Sequence, residues 1–268
     1  MPDTVRRQYA QYDWELISHK PFSGTHVYRI DATPPLYLKY APTPDSSDPG
    51  ISPLAEARVL EWLHRNDVPS PDIIDYDNID DHEYLVTQAA VGRPASADWP
   101  PADRLSVVDA VADFASGLHR IPTRHCPFDR RLKNTVPLAQ EIAGLGEVDL
   151  DGLDRTRRGW TATRLVTELL ATARQVGREE PAVCHGDYCL PNVLIDPDTF
   201  AVTAIVDVGR LGVADRYVDV ALMTQSLTNT TLNPQFGAAY ADRFMYRYGE
   251  LPADQQRIEL YRLLDEFF

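Results

Sequence analysis

Over the first ninety positions, apolar and polar residues change over in short bursts. Trp14–Ser18, Val27–Ile30 and Leu36–Tyr40 are apolar-rich runs with turn chemistry at Ser23-Gly24 and Pro34-Pro35, and they predict three strands. The segment from Ala41 to Gly50 (APTPDSSDPG) is a loop by composition. The period then lengthens. Leu54, Ala57, Val59, Leu60 and Leu63 share one face of a helix from about Ser52 to Arg65, with Ser52 as N-cap and Pro53 at the first helical position. Ile73–Tyr76 and Tyr84–Thr87 predict two further strands, which complete a small antiparallel sheet.

After Ala89 the pattern turns helical, beginning with the connector AVGRPASADWPP. Helical spacing recurs over Arg104–His119, Ala162–Val176, Tyr217–Ser226, Phe236–Tyr248 and Gln255–Phe267. Between these helices, Val193–Ile195 and Val202–Val206 predict a hairpin closed by Asp196-Pro197-Asp198-Thr199. No internal repeat interrupts the order. The expectation is an α+β chain of two lobes: residues 1–88 as a sheet with one helix, and residues 89–268 as a helical lobe with one hairpin, 89–101 being the connector. Such an order resembles the protein-kinase-like fold, whose N-terminal lobe binds the nucleotide.

Composition narrows the function. No run approaches the roughly 18 apolar residues of a membrane span, and Met1 to Tyr12 is too polar for a secretory signal, so no membrane association and a cytoplasmic location are expected. A formal charge of −14 speaks against nucleic acid, whose affinity comes from Lys and Arg neutralising phosphates, and favours a cationic partner. The three cysteines, Cys126, Cys184 and Cys189, suit reduced core thiols better than disulfides or a zinc site. Lysines are scarce: Lys20, Lys39 and Lys133 among 26 basic residues, which marks a lysine kept inside a strand.

The stretch V-C-H-G-D-Y-C-L-P-N-V-L-I-D, Val183 to Asp196, sets an acid in an apolar run where an ionised carboxylate needs a partner. Phosphoryl transfer requires a lysine on the phosphates, oxygen ligands for magnesium and a base for the attacking hydroxyl. Asp187, four residues, then Asn192 has the spacing of a kinase catalytic loop, and the hairpin then leads to Asp207 in I-V-D-V-G. Each has a simpler alternative: Asp187 as a turn residue, Asn192 as a cap, Asp207 as a satisfied buried acid. Their order around a hairpin favours catalysis. Lys39 on the third strand and Glu56 on the following helix stand where a kinase keeps its phosphate-binding lysine and the lysine's ion-pair partner. The loop Phe22–His26 is no G-x-G-x-x-G, yet its backbone N–H groups could cover phosphates.

H-G-D-Y-C-L-P-N, V-D-V-G-R-L-G-V-A-D-R-Y-V-D-V-A-L and the final Y-R-L-L-D-E-F-F closely resemble the aminoglycoside 3'-phosphotransferases, the kanamycin/neomycin kinases, and the resemblance spans essentially the whole chain. It implies ATP- and Mg2+-dependent phosphorylation of the 3'-hydroxyl of an aminoglycoside, conferring resistance. Asp187 is then the catalytic base, Asn192 and Asp207 hold the metal, Lys39 grips the phosphates and Glu56 orients it. Tyr37 stacks on adenine, the backbone at Thr87 and Ala89 reads its edge, and Ser23 lies over the phosphates. Asp154, Arg210, Asp265, Glu266 and the carboxylate of Phe268 are implied for the cationic substrate, with Leu263, Leu264 and Phe267 as core. Gly152, Arg155, Thr156, Gln225 and Ser226 depart from acid-rich or Arg-Asp positions of relatives, which leaves the drug spectrum open. The alternatives are the same chemistry on streptomycin or a small-metabolite hydroxyl, and a non-catalytic nucleotide-binding protein. The oligomeric state is not legible.

Overall fold

The computed structural model describes residues 3–20, 24–44, 48–249 and 253–268. It divides into two compact units, one of Met1–Ala90 with Asp207–Gly209 and one of Val91–Val206 with Arg210–Phe268.

The first unit holds α1 (Asp3–Gln8), β1 (Trp14–Lys20), β2 (Thr25–Ile30), β3 (Leu36–Pro42), α2 (Pro53–Arg65), β4 (Ile73–Ile79) and β5 (His82–Gln88). The strands form one antiparallel sheet in the order β1-β2-β3-β5-β4. Alternation along β3 sends Leu36, Leu38 and Tyr40 into the core and leaves Tyr37 and Lys39 on the opposite face. The core face also takes Val5 and Tyr9 of and just after α1, with Ile30, Tyr84 and Val86. α1 escapes the sequence pattern because only Val5 and Tyr9, one helical turn apart, are apolar at the right spacing.

α2 starts where the sequence places it. Ser52 Oγ accepts the Ala55 N–H at 3.0 Å, and Pro53 opens the first turn. The buried Glu83 of β5 accepts from Ser52 Oγ at 2.5 Å and from Leu54 N at 3.3 Å, so the sheet carries a negative charge at the positive end of α2. Ala57, Leu60 and Leu63 are buried, and Glu56, beside them, is buried too.

The second unit contains β6 (Arg93–Pro94), α3 (Arg104–His119), α4 (Leu132–Leu145), α5 (Ala162–Gln175), β7 (Pro181–Cys184), β8 (Val193–Ile195), β9 (Val202–Ile205), β10 (Gly212–Asp215), α6 (Tyr217–Thr228), α7 (Ala238–Tyr248) and α8 (Gln255–Asp265). β8 and β9 form the expected hairpin, its turn held by Asp196 Oδ1, which accepts from Asp198 N and Thr199 N at 2.9 Å each. α6 is buried nearly all round and is the central helix, with α8 on one side of it. α3 and α7 are tied by two bidentate pairs, Asp109–Arg243 and Asp113–Arg247, with N···O distances of 2.6 to 2.7 Å.

Differences from the sequence pattern have local causes. The sequence reading places no helix at α4, which contains Pro137; Leu138, Ala139 and Ile142 are buried and Gly146 ends it at φ 76°. α7 starts two residues late because Phe236 N is bonded to Asn233 O in a preceding turn. β7 and β10 pair with each other across a long separation, which no local pattern signals.

Candidate active site

In the first unit, β3 and α2 bring Lys39 and Glu56 together, with Lys39 Nζ 2.6 Å from Glu56 Oε2. Lys39 Nζ also donates to Asp207 Oδ1, so the sheet lysine is paired on two sides. Burial of the ammonium opposes its charge, but Glu56 and Asp207 outweigh that and hold the lysine pKa above its ordinary value. Asp207 sits at φ 56°, a left-handed conformation that Asp tolerates better than most residues, and its side chain is 52% exposed. Tyr37 is exposed on the same face of β3 as Lys39.

Thr87 and Ala89, expected to read the adenine edge, lie in and just after β5. Thr87 lies inside β5 between Tyr37 of β3 and Ile73 of β4, so its main chain belongs to the sheet. Ala89 N donates to Pro35 O at 2.8 Å, which extends the sheet beyond the expected strand end. Ser23 lies outside the described residues; near it, Gly24 has φ 64° and its carbonyl stands 2.9 Å from His26 Nδ1.

In the second unit, Asp187 follows β7 in a loop whose shape is over-determined. Gly186 has φ 87°, and a Cβ there would lie 2.3 Å from Arg210 O, so glycine is required. His185, fully buried, accepts the Asp187 N–H on Nδ1 at 3.2 Å and donates from Nε2 to Val206 O at 3.0 Å, which fixes one neutral tautomer. Asn192 Nδ2 donates to Asp187 O at 2.9 Å and to Asp187 Oδ2 at 3.0 Å. Cys189 Sγ stands 3.6 Å from the other carboxylate oxygen. Burial, then the charges of Asp187 and Asp265, push the Cys189 thiol well above its ordinary pKa, so it remains a donor.

One further acid supports this loop and was not singled out in the sequence. Asp219 of α6, wholly buried, accepts the His185 N–H on Oδ2 at 2.8 Å and the Gly186 N–H on Oδ1 at 2.9 Å. His119 Nε2 stands 3.0 Å from Asp219 Oδ2, with His119 Nδ1 2.6 Å from the Tyr248 hydroxyl. His119, Cys184 and Asp219 are close enough to hold a metal, but both imidazole nitrogens and both carboxylate oxygens already serve this network. An acid inside the apolar helix Y-V-D-V-A-L was the available signal. Ser226, a departure from relatives, is a strut: its Oγ accepts the Leu190 N–H at 3.1 Å.

At the end of α8, Glu266, Arg210 and Phe268 have partners within the protein that the sequence does not announce. Glu266 does not present a free acid, since Arg157 Nη1 donates to its Oε1 at 2.9 Å, Asp154 N donates to its Oε2 at 3.1 Å, and its side chain is 7% exposed. Burial pushes its carboxyl above the ordinary value in spite of Arg157. Arg210 Nη2 donates to the Phe268 main-chain oxygen at 2.8 Å, and its guanidinium lies 5.0 Å from the Phe268 ring centroid. Asp154 keeps a half-buried carboxylate, with Thr156 N and Oγ1 donating to its Oδ1 at 2.8 and 2.7 Å. Burial raises its pKa, but the Thr156 bonds and the charges of Arg157 and Arg262 outweigh it, and the net shift is downward. Asp265 is half-buried, and its charge reaches the Cys189 thiol.

Residues 14–261 match the model of a phosphotransferase enzyme family. The chain is 43% identical over 270 residues to an aminoglycoside 3'-phosphotransferase of Streptomyces fradiae, covering 99% of this chain and 98% of the relative. Among solved structures it is similar to an aminoglycoside 3'-phosphotransferase of type VIII, with a TM-score of 0.89, 39% identity and coverage of 99% and 97% of the two chains. It is also similar to an aminoglycoside phosphotransferase of Streptomyces rimosus in complex with ADP and streptomycin, with a TM-score of 0.81, 28% identity and coverage of 100% and 99%.

Proposed function

The chain belongs to the phosphotransferase family that includes the aminoglycoside 3'-phosphotransferases, and from that premise we propose that it transfers the γ-phosphoryl group of ATP to the 3'-hydroxyl of an aminoglycoside. The observation that carries the reading is the held carboxylate of Asp187. Asn192 and Cys189 each donate to one of its oxygens, which orients it as a base for an incoming hydroxyl. Lys39, kept charged by Glu56 and Asp207, would face the nucleotide phosphates, and exposed Tyr37 the base.

Asn192 and Asp207 fit magnesium by their donor chemistry. The Asn192 amide nitrogen is engaged by Asp187, leaving the amide oxygen as its ligand atom, and Asp207 offers a carboxylate; both are hard oxygens. Bound there, the ion would neutralise charge on the phosphate oxygens. Asp154 and Asp265 would meet the substrate's ammonium groups. A phosphate on the drug replaces a hydrogen-bonding hydroxyl by negative charge and so weakens binding to an acidic RNA target, which is resistance. No described helix is long and apolar enough to cross a membrane, and we place the enzyme in the cytoplasm with its ATP.

A second reading, streptomycin as acceptor, draws on the streptomycin-bound relative of equal extent. A coupled ADP-release assay with kanamycin, neomycin and streptomycin decides. Turnover of kanamycin or neomycin with regiochemistry at the 3'-position supports the first reading. Turnover of streptomycin alone replaces it, and no turnover with any acceptor sinks both.

A further inference from the structure

Arg157 is a guanidinium with a 4% exposed side chain in the loop between α4 and α5, and it has two carboxylate partners on α8. Nη1 donates to Glu266, and Nη2 donates to Glu259, about two helical turns earlier in α8. The loop closes on itself at the same point, because Arg157 N donates to Asp154 O at 2.8 Å and Trp160 N donates to Arg157 O at 2.9 Å. Asp154 N reaches the second oxygen of the same Glu266. Arg157 and Asp154 are therefore fastened to one buried carboxylate, next in sequence to Asp265.

Asp265 and Glu266 place two acids at the C-terminal end of α8, already the negative end of its dipole, with Glu259 in the middle of the helix. A buried carboxylate such as Glu266 stays in place only with a cation and hydrogen bonds on it. Arg157 supplies these, and its planar fork holds the two carboxylates on two different nitrogens, Nη1 and Nη2. We propose that Arg157 is a positioning residue for the acceptor: it clamps the 154–158 loop onto α8 and thereby fixes Asp154 at a set distance from the helix end. The inference rests on the aminoglycoside reading above. It makes drug affinity depend on a residue that touches no drug.

The test uses the full chain and two variants, Arg157→Lys and Glu259→Gln, with kanamycin as the acceptor and hydrogen exchange at the Asp154 amide as a drug-free readout. Arg157→Lys should raise the kanamycin KM about ten-fold while kcat and the ATP KM stay within about two-fold, because only acceptor geometry is loosened. The Asp154 amide should exchange faster in the same protein. Glu259→Gln removes one jaw at a 59% exposed side chain, should fold regardless, and should show the same pattern at about three-fold. Faster Asp154 exchange with an unchanged kanamycin KM overturns the proposal and leaves Arg157 as packing. A lower kanamycin KM overturns it in the other direction, since Arg157 would then be competing with the drug for Glu266. A wild-type enzyme inactive on every aminoglycoside overturns the functional reading itself, and that failure is seen before any substitution is made.

Discussion

Asp219→Asn isolates how much the catalytic loop depends on one buried carboxylate. Each oxygen of Asp219 holds one loop amide, His185 N at 2.8 Å and Gly186 N at 2.9 Å, and His119 Nε2 shares Oδ2 at 3.0 Å. Asparagine keeps one acceptor. If its oxygen takes the Oδ2 place, His185 N and His119 remain served while Gly186 N faces an NH2 group. One hydrogen bond to a charged group is lost, about 1.5–3 kcal/mol, and one buried donor is left unsatisfied, about 1–3 kcal/mol. The expected destabilisation is about 2.5–6 kcal/mol, or a fall in Tm of roughly 5–24 °C at about 2–4 °C per kcal/mol for a chain of this size. Gly186 immediately precedes Asp187, so kcat should fall about 10²-fold, as expected when a reacting group is displaced by about 1 Å. Differential scanning calorimetry and steady-state kinetics on the same preparation check both. A variant with the lowered Tm that retains at least half its kcat would refute the link between Asp219 and the base.

Asp187→Ala should lower kcat at least 10²-fold with the ATP KM within a few-fold, since a positioned base contributes about 10²–10⁴; single-turnover kinetics with saturating ATP measure it. Asp207→Asn should raise the magnesium concentration needed for half-maximal rate more than Asn192→Ala does, because it removes a formal charge, and a magnesium titration of both variants reads the order. Acid should loosen the α3–α7 pair: hydrogen bonds from Arg243 hold the Asp109 carboxyl below its ordinary value even against burial. Its stabilising contribution is full above the unfolded carboxylate pKa of about 4 and is lost as pH falls through the folded value. Asp109→Asn should therefore flatten the acid limb of a Tm-against-pH curve below about pH 4, and an unchanged limb would remove Asp109 from the account.

What the sequence revealed and what it hid separate along physical lines. Lys39 and Glu56 were legible because strand alternation and a capped helix each fix the direction of a side chain from its immediate neighbours. The hairpin between Asn192 and Asp207 was legible because it is short and its turn chemistry is local. The Glu266–Arg157 pair was hidden because the guanidinium stands 109 positions away. Nothing near Ala89 announces that Pro35 will take its N–H. Ser226 read as the loss of an acid, and its hydroxyl turns out to hold the loop at Leu190.

The first unit is not a continuous stretch of chain, because Asp207–Gly209 belongs to it while Val206 and Arg210 do not. On the ribosome this imposes an order of events. The strands carrying Lys39 emerge early with Glu56 as the sole carboxylate of the pair, and Asp207 follows about 120 residues after Ala90, a delay of roughly 6–25 s at about 5–20 residues per second. Until then the lysine's charge is half-compensated in a nascent sheet. A fragment ending at residue 90 would keep the Lys39–Glu56 pair and lack Asp207, the second carboxylate on the lysine.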